Sequence, residues 1–206
     1  MFAYGFKRLL AGLMVVAALA GCSGGIHRTA YLVSAPPEVT SEWKVVDVKV
    51  DVPRTLVVSE EEIFFPRADI VWREDPPGDR YEQVAKIMRD AISKGVADLN
   101  GDREVVVEVT MARFHALTFI AETRAPSGVH DIEFTLAVRD AKSGEILFGP
   151  EYVEASFPAL TGARMAQARA QGQTQKSQIT EHVEKTIRAI FGIGADARET
   201  FSSLGG

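Results

Sequence analysis

The chain has 206 residues, 28 acidic and 23 basic side chains, a formal charge of −5 and 46% apolar content. That length suits one domain with its own core and requires no second one. A mildly acidic chain lacks the clustered Lys and Arg that phosphate backbones demand, which argues against nucleic acid as a partner.

At the N-terminus, Lys7 and Arg8 precede an uninterrupted apolar run from Leu9 to Ala20, then Gly21 and Cys22. This is the order of parts in an export signal. The run is too short to span a bilayer, which takes roughly 20 apolar residues, so residues 1–21 read as a removable signal peptide. Its loss would take the formal charge from −5 to −7, because Lys7 and Arg8 go with it. Leu19-Ala20-Gly21-Cys22 resembles the lipobox of bacterial lipoproteins. The resemblance implies that the Cys22 thiol receives a diacylglyceryl group, that a peptidase cuts before it, and that the new amino group is acylated. Cysteine usage agrees: Cys22 is the only one, so no disulfide forms within the chain, and a thioether is inert where a lone thiol would not be. Each buried methylene holds the anchor by about 0.8 kcal/mol, so several acyl chains make it effectively permanent. Ser23, in place of the aspartate that resembles an inner-membrane retention signal, implies the periplasmic face of the outer membrane ahead of the inner one.

Residues 22–42, with Gly, Ser and Pro36-Pro37, read as a lipidated tether, and residues 43–193 as a single α+β domain. Val46, Val48, Val50 and Val52 alternate with Asp47, Lys49 and Asp51, the pattern of a half-buried strand. Thr55 to Ser59 adds a short strand, and Glu60-Glu61-Glu62 reads as a solvated turn. Asp69 to Arg73 is a further strand, ended by Pro76-Pro77-Gly78. Asp79 and Glu82 form a capping-box pattern. The helix behind them places Tyr81, Val84, Ala85, Met88, Ala91, Ile92, Gly95, Val96 and Leu99 on one face, with Asn100-Gly101 as its stop. Two strands follow, about 104–121 and 129–139, joined through residues 125–128, then a strand from Glu145 that resumes at Tyr152 after Gly149-Pro150. A helical region over 162–191 has an exposed, Gln- and Arg-rich first half, and Ile179, Val183, Ile187 and Ile190 on one face of its second half. Residues 194–206 read as a disordered tail. The order strand, strand, helix, three strands, helix predicts an antiparallel or mixed sheet with two helices packed on one face and the other face open.

Chemistry-bearing patterns are sparse. No Gly-x-Ser-x-Gly elbow occurs, the lipobox resemblance implies that Cys22 is taken up by lipid, and no glycine-rich phosphate loop joins a strand to a helix. His27, His115, His130 and His182 lack metal-ligand spacing. His27 falls in the tether, while His115 and His130 flank a hairpin several residues out of register. Each reads as a satisfied strand histidine. Neighbouring acids such as Glu74-Asp75 and Asp131 with Glu133 read as solvated surface. The sequence therefore predicts no catalytic residue, no cofactor and no metal.

The stretch Trp72-Arg73-Glu74-Asp75-Pro76-Pro77-Gly78-Asp79-Arg80 is the most distinctive. Trp72 reads as core and Asp79 as a helix cap. Arg73 and Arg80 either pair with local acids or form a candidate partner surface. With the lipobox, this stretch resembles uncharacterised lipoproteins of Rhodobacter-like alphaproteobacteria that share a WRED-type motif, a group without assigned activity. The element order is also similar in layout to auxiliary lipoproteins of envelope transport systems. The expected function is a lipid-anchored periplasmic envelope protein, a non-catalytic binding or scaffolding component with a protein partner. The alternatives are a lipid-anchored hydrolase or a carrier of lipids or small molecules in a sheet–helix groove.

Overall fold

The computed structural model describes residues 26–202. The expected signal peptide, the expected lipidation site Cys22 and residues 203–206 lie outside the described residues. The elements run β1 (Ile26–Ala30), α1 (Pro37–Thr40), β2 (Trp43–Asp51), β3 (Ile70–Val71), α2 (Arg80–Gly95), β4 (Arg103–His115), α3 (Phe119–Arg124) and β5 (Gly128–Asp140). Then come β6 (Ile146–Ala155), β7 (Phe157–Ala159), α4 (Gly162–Ala170), α5 (Gln175–Ile190) and β8 (Glu199–Ser202).

The α+β class holds: these strands form one mixed, eight-stranded sheet in the order β2-β4-β5-β6-β1-β8, with β3 beside β4 and β7 beside β5. Parallel neighbours need a crossover between them. For β2 and β4 that crossover contains α2, so the only regular helix between them is also the one that packs on β2. The other long pairings, β4–β5 and β5–β6, are antiparallel. Helices α2 and α5 pack on each other. Their buried faces, including Val84, Met88, Ala91 and Ile92 on one and Ile179, Val183, Ile187 and Ile190 on the other, share one core with the inward residues of β4, β5 and β6. Trp43 meets Phe191 edge-on at 6.0 Å, and Trp72 meets Phe114 in the same way at 5.7 Å.

The expected order of elements is corrected at both ends. Ile26–Ala30 is not tether but a sheet strand, paired with β6 on one side and β8 on the other. Its alternation is weak, and pairing makes it a strand: Arg28 donates to Glu154 at 2.6 and 2.7 Å. Tyr31, Ala35 and Thr40 are buried. Ala35 N–H donates to Ile190 O at 2.7 Å and the Thr40 hydroxyl to Phe191 O at 2.9 Å, which ties residues 31–42 to the end of α5. The tail from 194 is likewise structured through residue 202, because Tyr31 donates to Asp196 at 2.9 Å, Ala197 is buried, and β8 closes on β1.

Within the domain, a bulge between Val45 and Asp47 turns Val46 outward and resets the phase, so Val48 and Val52 are buried while Val46 is exposed. Residues 55–59 contribute only an isolated bridge, Val58 to Ile70, and the strand expected over 69–73 shrinks to Ile70–Val71. Asp79 caps α2 by accepting from Tyr81 N–H and Glu82 N–H at 2.9 and 3.2 Å. The reciprocal half of the box is absent, since Glu82 turns to Arg54. Helix α2 ends at Gly95, a turn before the expected stop, with Val96 and Leu99 still buried. The irregular end of the expected strand, around 117–121, is the start of helix α3, capped by Thr118. Strand β6 runs unbroken through Gly149, whose φ is +76° and whose absent β carbon leaves room for Leu136 O. The helical region splits into α4 and α5 at residues 171–174, where Thr174 and Ser177 form a capping box. The first part, expected to be exposed or frayed, is a formed helix that buries Met165 and Ala168 and leaves its other side chains largely in solvent.

Candidate functional site

The segment from Val57 to Asp69 folds back over the ends of β4 and β5. Its base is closed by Val57 N–H donating to Asp69 Oδ2 at 2.8 Å and by Ile70 N–H donating to Val57 O at 2.9 Å. Its tip is held to α3 by the Thr118 hydroxyl, which donates to Ile63 O at 2.8 Å, and by Phe119 N–H, which donates to Glu62 Oε2 at 3.1 Å. His115 Nε2 reaches Pro66 O at 3.1 Å. A carbonyl only accepts, so this nitrogen carries the proton. Burial lowers the pKa of His115, against the Pro66 hydrogen bond that raises it, so the ring is neutral near pH 7.

Under this segment lies a cavity of about 920 Å³, within the range of small-molecule sites. Phe64, Phe65, Leu117, Ala121, Pro126 and Val129 give it apolar walls. Phe65 is 79% exposed at its rim, and Ile63, Phe64 and Val57 also face solvent. The polar groups of the wall are mostly engaged. Asp131 accepts from Arg113 Nε at 2.7 Å and from the Ser156 hydroxyl at 2.7 Å, so both of its oxygens are occupied. Asp69 accepts from Val57 as above. Arg67 is exposed on the rim and has no ion-pair partner among the described residues. His27, which the sequence placed in the tether, lines the same cavity from β1, with its ring stacked on Phe201 at 6.0 Å.

Beside the cavity, the WRED stretch forms a charged cluster. Trp72 is core, as expected, and its indole donates to Asp75 Oδ2 at 2.9 Å. Arg73 and Arg80 are not presented outward: their side chains are 12% and 5% exposed. Arg80 donates to Glu60 at 2.8 Å, to Gln83 at 2.7 Å and to the carbonyls of Asp75 and Pro76. Arg73 pairs with Glu60, and its Nε lies 2.9 Å from Glu62 as an ion pair off the N–H direction. The acids expected to be solvated are therefore partners, and the Arg80 hydrogen bond is the first cause of a lowered Glu60 pKa. Glu74 accepts from Gln175 N–H and Lys176 N–H at 3.1 and 2.6 Å, at the start of α5, and pairs with Arg169 at 2.8 Å. Glu122 receives two bonds from Arg169 and one from Gln175. Burial works to raise the Asp75 pKa, and hydrogen bonds from Lys176 and Trp72 outweigh it. The motif thus ties α2, α3, α4 and α5 together through its charged side chains.

A third group sits inside the core. His130 is fully buried, and neither ring nitrogen has a hydrogen-bond partner. Burial drives its pKa down to about 3. Phe157 separates it from His182, with centroid distances of 5.0 and 4.3 Å. The Thr29 hydroxyl donates to Ser156 O at 3.0 Å, so it accepts from His182 Nε2 at 2.9 Å. His115 pairs with Asp131, one residue from His130, so the two histidines are close in register, because α3 and not a tight turn makes the connection. His130 is unsatisfied, and His182 is on a helix. No group of three or more His, Cys, Asp or Glu able to hold a metal occurs among the described residues.

Sequence reasoning passed over Ile63 to Ala68, which forms the cavity roof, although Ile63-Phe64-Phe65-Pro66 is an apolar run without strand or helix period. It also missed Glu122, Arg169 and Gln175, whose roles depend on distant pairing.

A family model matches residues 43–206. The chain belongs to DUF6778, a family of unknown function. No curated protein matches. Among solved structures, a candidate lipoprotein of Caulobacter crescentus CB15 is similar at 13% identity, over 76% of this chain and 92% of that one, with a TM-score of 0.36. A PelC dodecamer from Paraburkholderia phytofirmans shows 12% identity over 80% and 95%, with a TM-score of 0.34. A DUF330 protein from Xanthomonas campestris shows 9% identity over 80% and 90%, with a TM-score of 0.36. No helix among the described residues is long and apolar enough to cross a membrane.

Proposed function

We propose that this DUF6778 chain is a non-catalytic binding component of the bacterial envelope, held by lipid on Cys22 at the periplasmic face of a membrane, the outer in preference to the inner. It works with a protein partner, as an accessory to an envelope transport complex. The observation that carries the binding role is the cavity of about 920 Å³ roofed by Phe64 and Phe65. An apolar chamber whose carboxylates are already held, Asp131 by Arg113 and Ser156 and Asp69 by Val57, supports capture of an apolar ligand over acid–base chemistry. The same cavity favours a carrier role as the second reading, in which the ligand is transferred to the partner.

The lipobox Leu19-Ala20-Gly21-Cys22 supports the anchor. Labelled palmitate should enter the wild-type chain and not Cys22→Ser, which should accumulate as an unprocessed or soluble form. Equal label in both overturns the anchor. Co-purification from gently solubilised membranes should yield a stable partner. A wild type that captures none and instead turns over an ester, glycan or peptide library overturns the non-catalytic reading in favour of a hydrolase.

A further inference from the structure

We infer that the cavity takes one acyl chain of an anionic phospholipid, drawn from the bilayer to which the protein is tethered, with Arg67 meeting the phosphate. This deepens the anchored-binding reading above and rests on it. Four observations converge. The walls are apolar where an acyl chain would lie. Exposed Phe64 and Phe65 stand at the rim, and contiguous apolar side chains in water mark a ligand or membrane contact. Exposed Phe side chains also serve as apolar contacts with the headgroup–acyl boundary of a bilayer.

The third observation is charge. Arg113 is neutralised by Asp131 in the wall, whereas Arg67 is exposed on the rim with no ion-pair partner among the described residues. An amphiphile with an anionic head and an apolar tail matches that arrangement from rim to interior, because a guanidinium binds phosphate oxygens by charge-assisted hydrogen bonds. The fourth is reach. His27 lines the cavity, and Cys22 precedes Ile26 by only four residues, a span of at most about 14 Å when fully extended. An acylated Cys22 therefore keeps the β1 wall of the cavity close to the headgroups, so a membrane lipid can place one chain inside while its second chain stays in the bilayer.

The test reconstitutes the full lipidated chain in phosphatidylcholine vesicles containing phosphatidylglycerol with a photoactivatable acyl chain, and maps crosslinks by peptide mass spectrometry. Labelling is expected on peptides bearing Leu117, Ala121 or Val129. Arg67→Glu should lower the yield roughly tenfold, the scale of one lost charge-assisted contact, while Arg67→Lys retains most of it. Ala121→Trp should block the cavity. Val57→Trp, introduced from an exposed rim position, should narrow it without loading the core and serves if the first filling variant fails to fold. The inference is overturned if folded, palmitoylated wild type shows no crosslink in the cavity, if the filling variants label like wild type, or if a phosphatidylcholine probe labels as well as phosphatidylglycerol. It is also overturned if photoactivatable palmitate installed at Cys22 labels the cavity and the vesicle probe does not, since the occupant is then the protein's own anchor. The two readings fail separately: absence of palmitate at Cys22 with cavity labelling retained in micelles sinks the anchor alone, and palmitate present with labelling absent sinks the cavity inference alone.

Discussion

Arg80 donates to Glu60, Gln83 and two main-chain carbonyls from a side chain that is 5% exposed. Truncation leaves those acceptors short of a donor in a partly dry site. Glu60 is half exposed, so water compensates in part, and Arg80→Ala should cost about 2–3 kcal/mol by chemical denaturation. Lys86→Ala, which breaks the solvent-exposed pair with Asp90, should stay within about 0.5 kcal/mol. A similar loss in both variants would contradict the buried role of Arg80. His130 makes a second residue-scale prediction. Burial lowers its pKa from 6.5 to about 3, and that of His182 to about 4. Between those values and 6.5 the unfolded chain binds protons that the folded chain refuses. Stability is therefore full above pH 6.5 and falls as pH drops toward 4, by up to about 1.4 kcal/mol per pH unit for each histidine. His130→Leu removes two unpartnered nitrogens, so it should be neutral or stabilising at pH 7 and should flatten the acid slope of the melting temperature. An unchanged slope would show that His130 is protonated or solvated in the fold.

At the scale of elements, the contact between α2 and α5 is set by Gly95. A β carbon there would sit 2.8 Å from Ile187 Cγ2, 2.9 Å from Ile187 Cβ and 3.1 Å from Glu184 O. Alanine is the better helix former by roughly 1 kcal/mol, yet the β-branch of Ile187 is no flexible tip that could swing aside. Packing wins, and Gly95→Ala should destabilise by about 1–3 kcal/mol. A rise in melting temperature would mean that the helices separate without cost. The WRED stretch acts at the same scale: Glu74 holds the first turn of α5 while Arg73 and Arg80 hold Glu60 at the entrance to the cavity roof. The charged cluster and the cavity are joined through one segment, residues 57–69.

Across the whole molecule, β1 is the element that would couple the proposed anchor to the fold. It lies inside the sheet, between β6 and β8, and the chain enters it four residues after Cys22. In the anchored reading such a link is short, and the domain has limited freedom to turn its cavity away from the membrane. The palmitate test on Cys22 and the acyl crosslinking test are the two measurements at this scale, the first on the attachment and the second on what the attachment brings within reach. The acidic balance of the chain is not an obstacle to an anionic headgroup, because charges beyond about 10 Å are largely screened and Arg67 stands on the rim itself.

The sequence by itself determined what depends on local period and local chemistry. The apolar spacing from Val84 to Ile92 and from Ile179 to Ile190 specified two helices and their buried faces, the alternation through Ile132, Phe134, Leu136 and Val138 specified a half-buried strand, and Asp79 specified a cap. Only the tertiary structure decided the rest, because it depends on partners far along the chain. Ile26–Ala30 is a strand because β6 and β8 offer hydrogen bonds to it, not because its residues alternate. Val46 faces outward because of a bulge against β4. Arg73 and Arg80 meet their acid only in the fold, where Glu60, 13 and 20 residues away, is brought beside them. Apart from the apolar run Ile63-Phe64-Phe65-Pro66, the cavity has no local signature: its roof, walls and rim come from β1, the loop over 57–69, the ends of β4 and β5 and the helix between them. A cavity is a property of how separate segments are placed, and no short window of sequence encodes its shape.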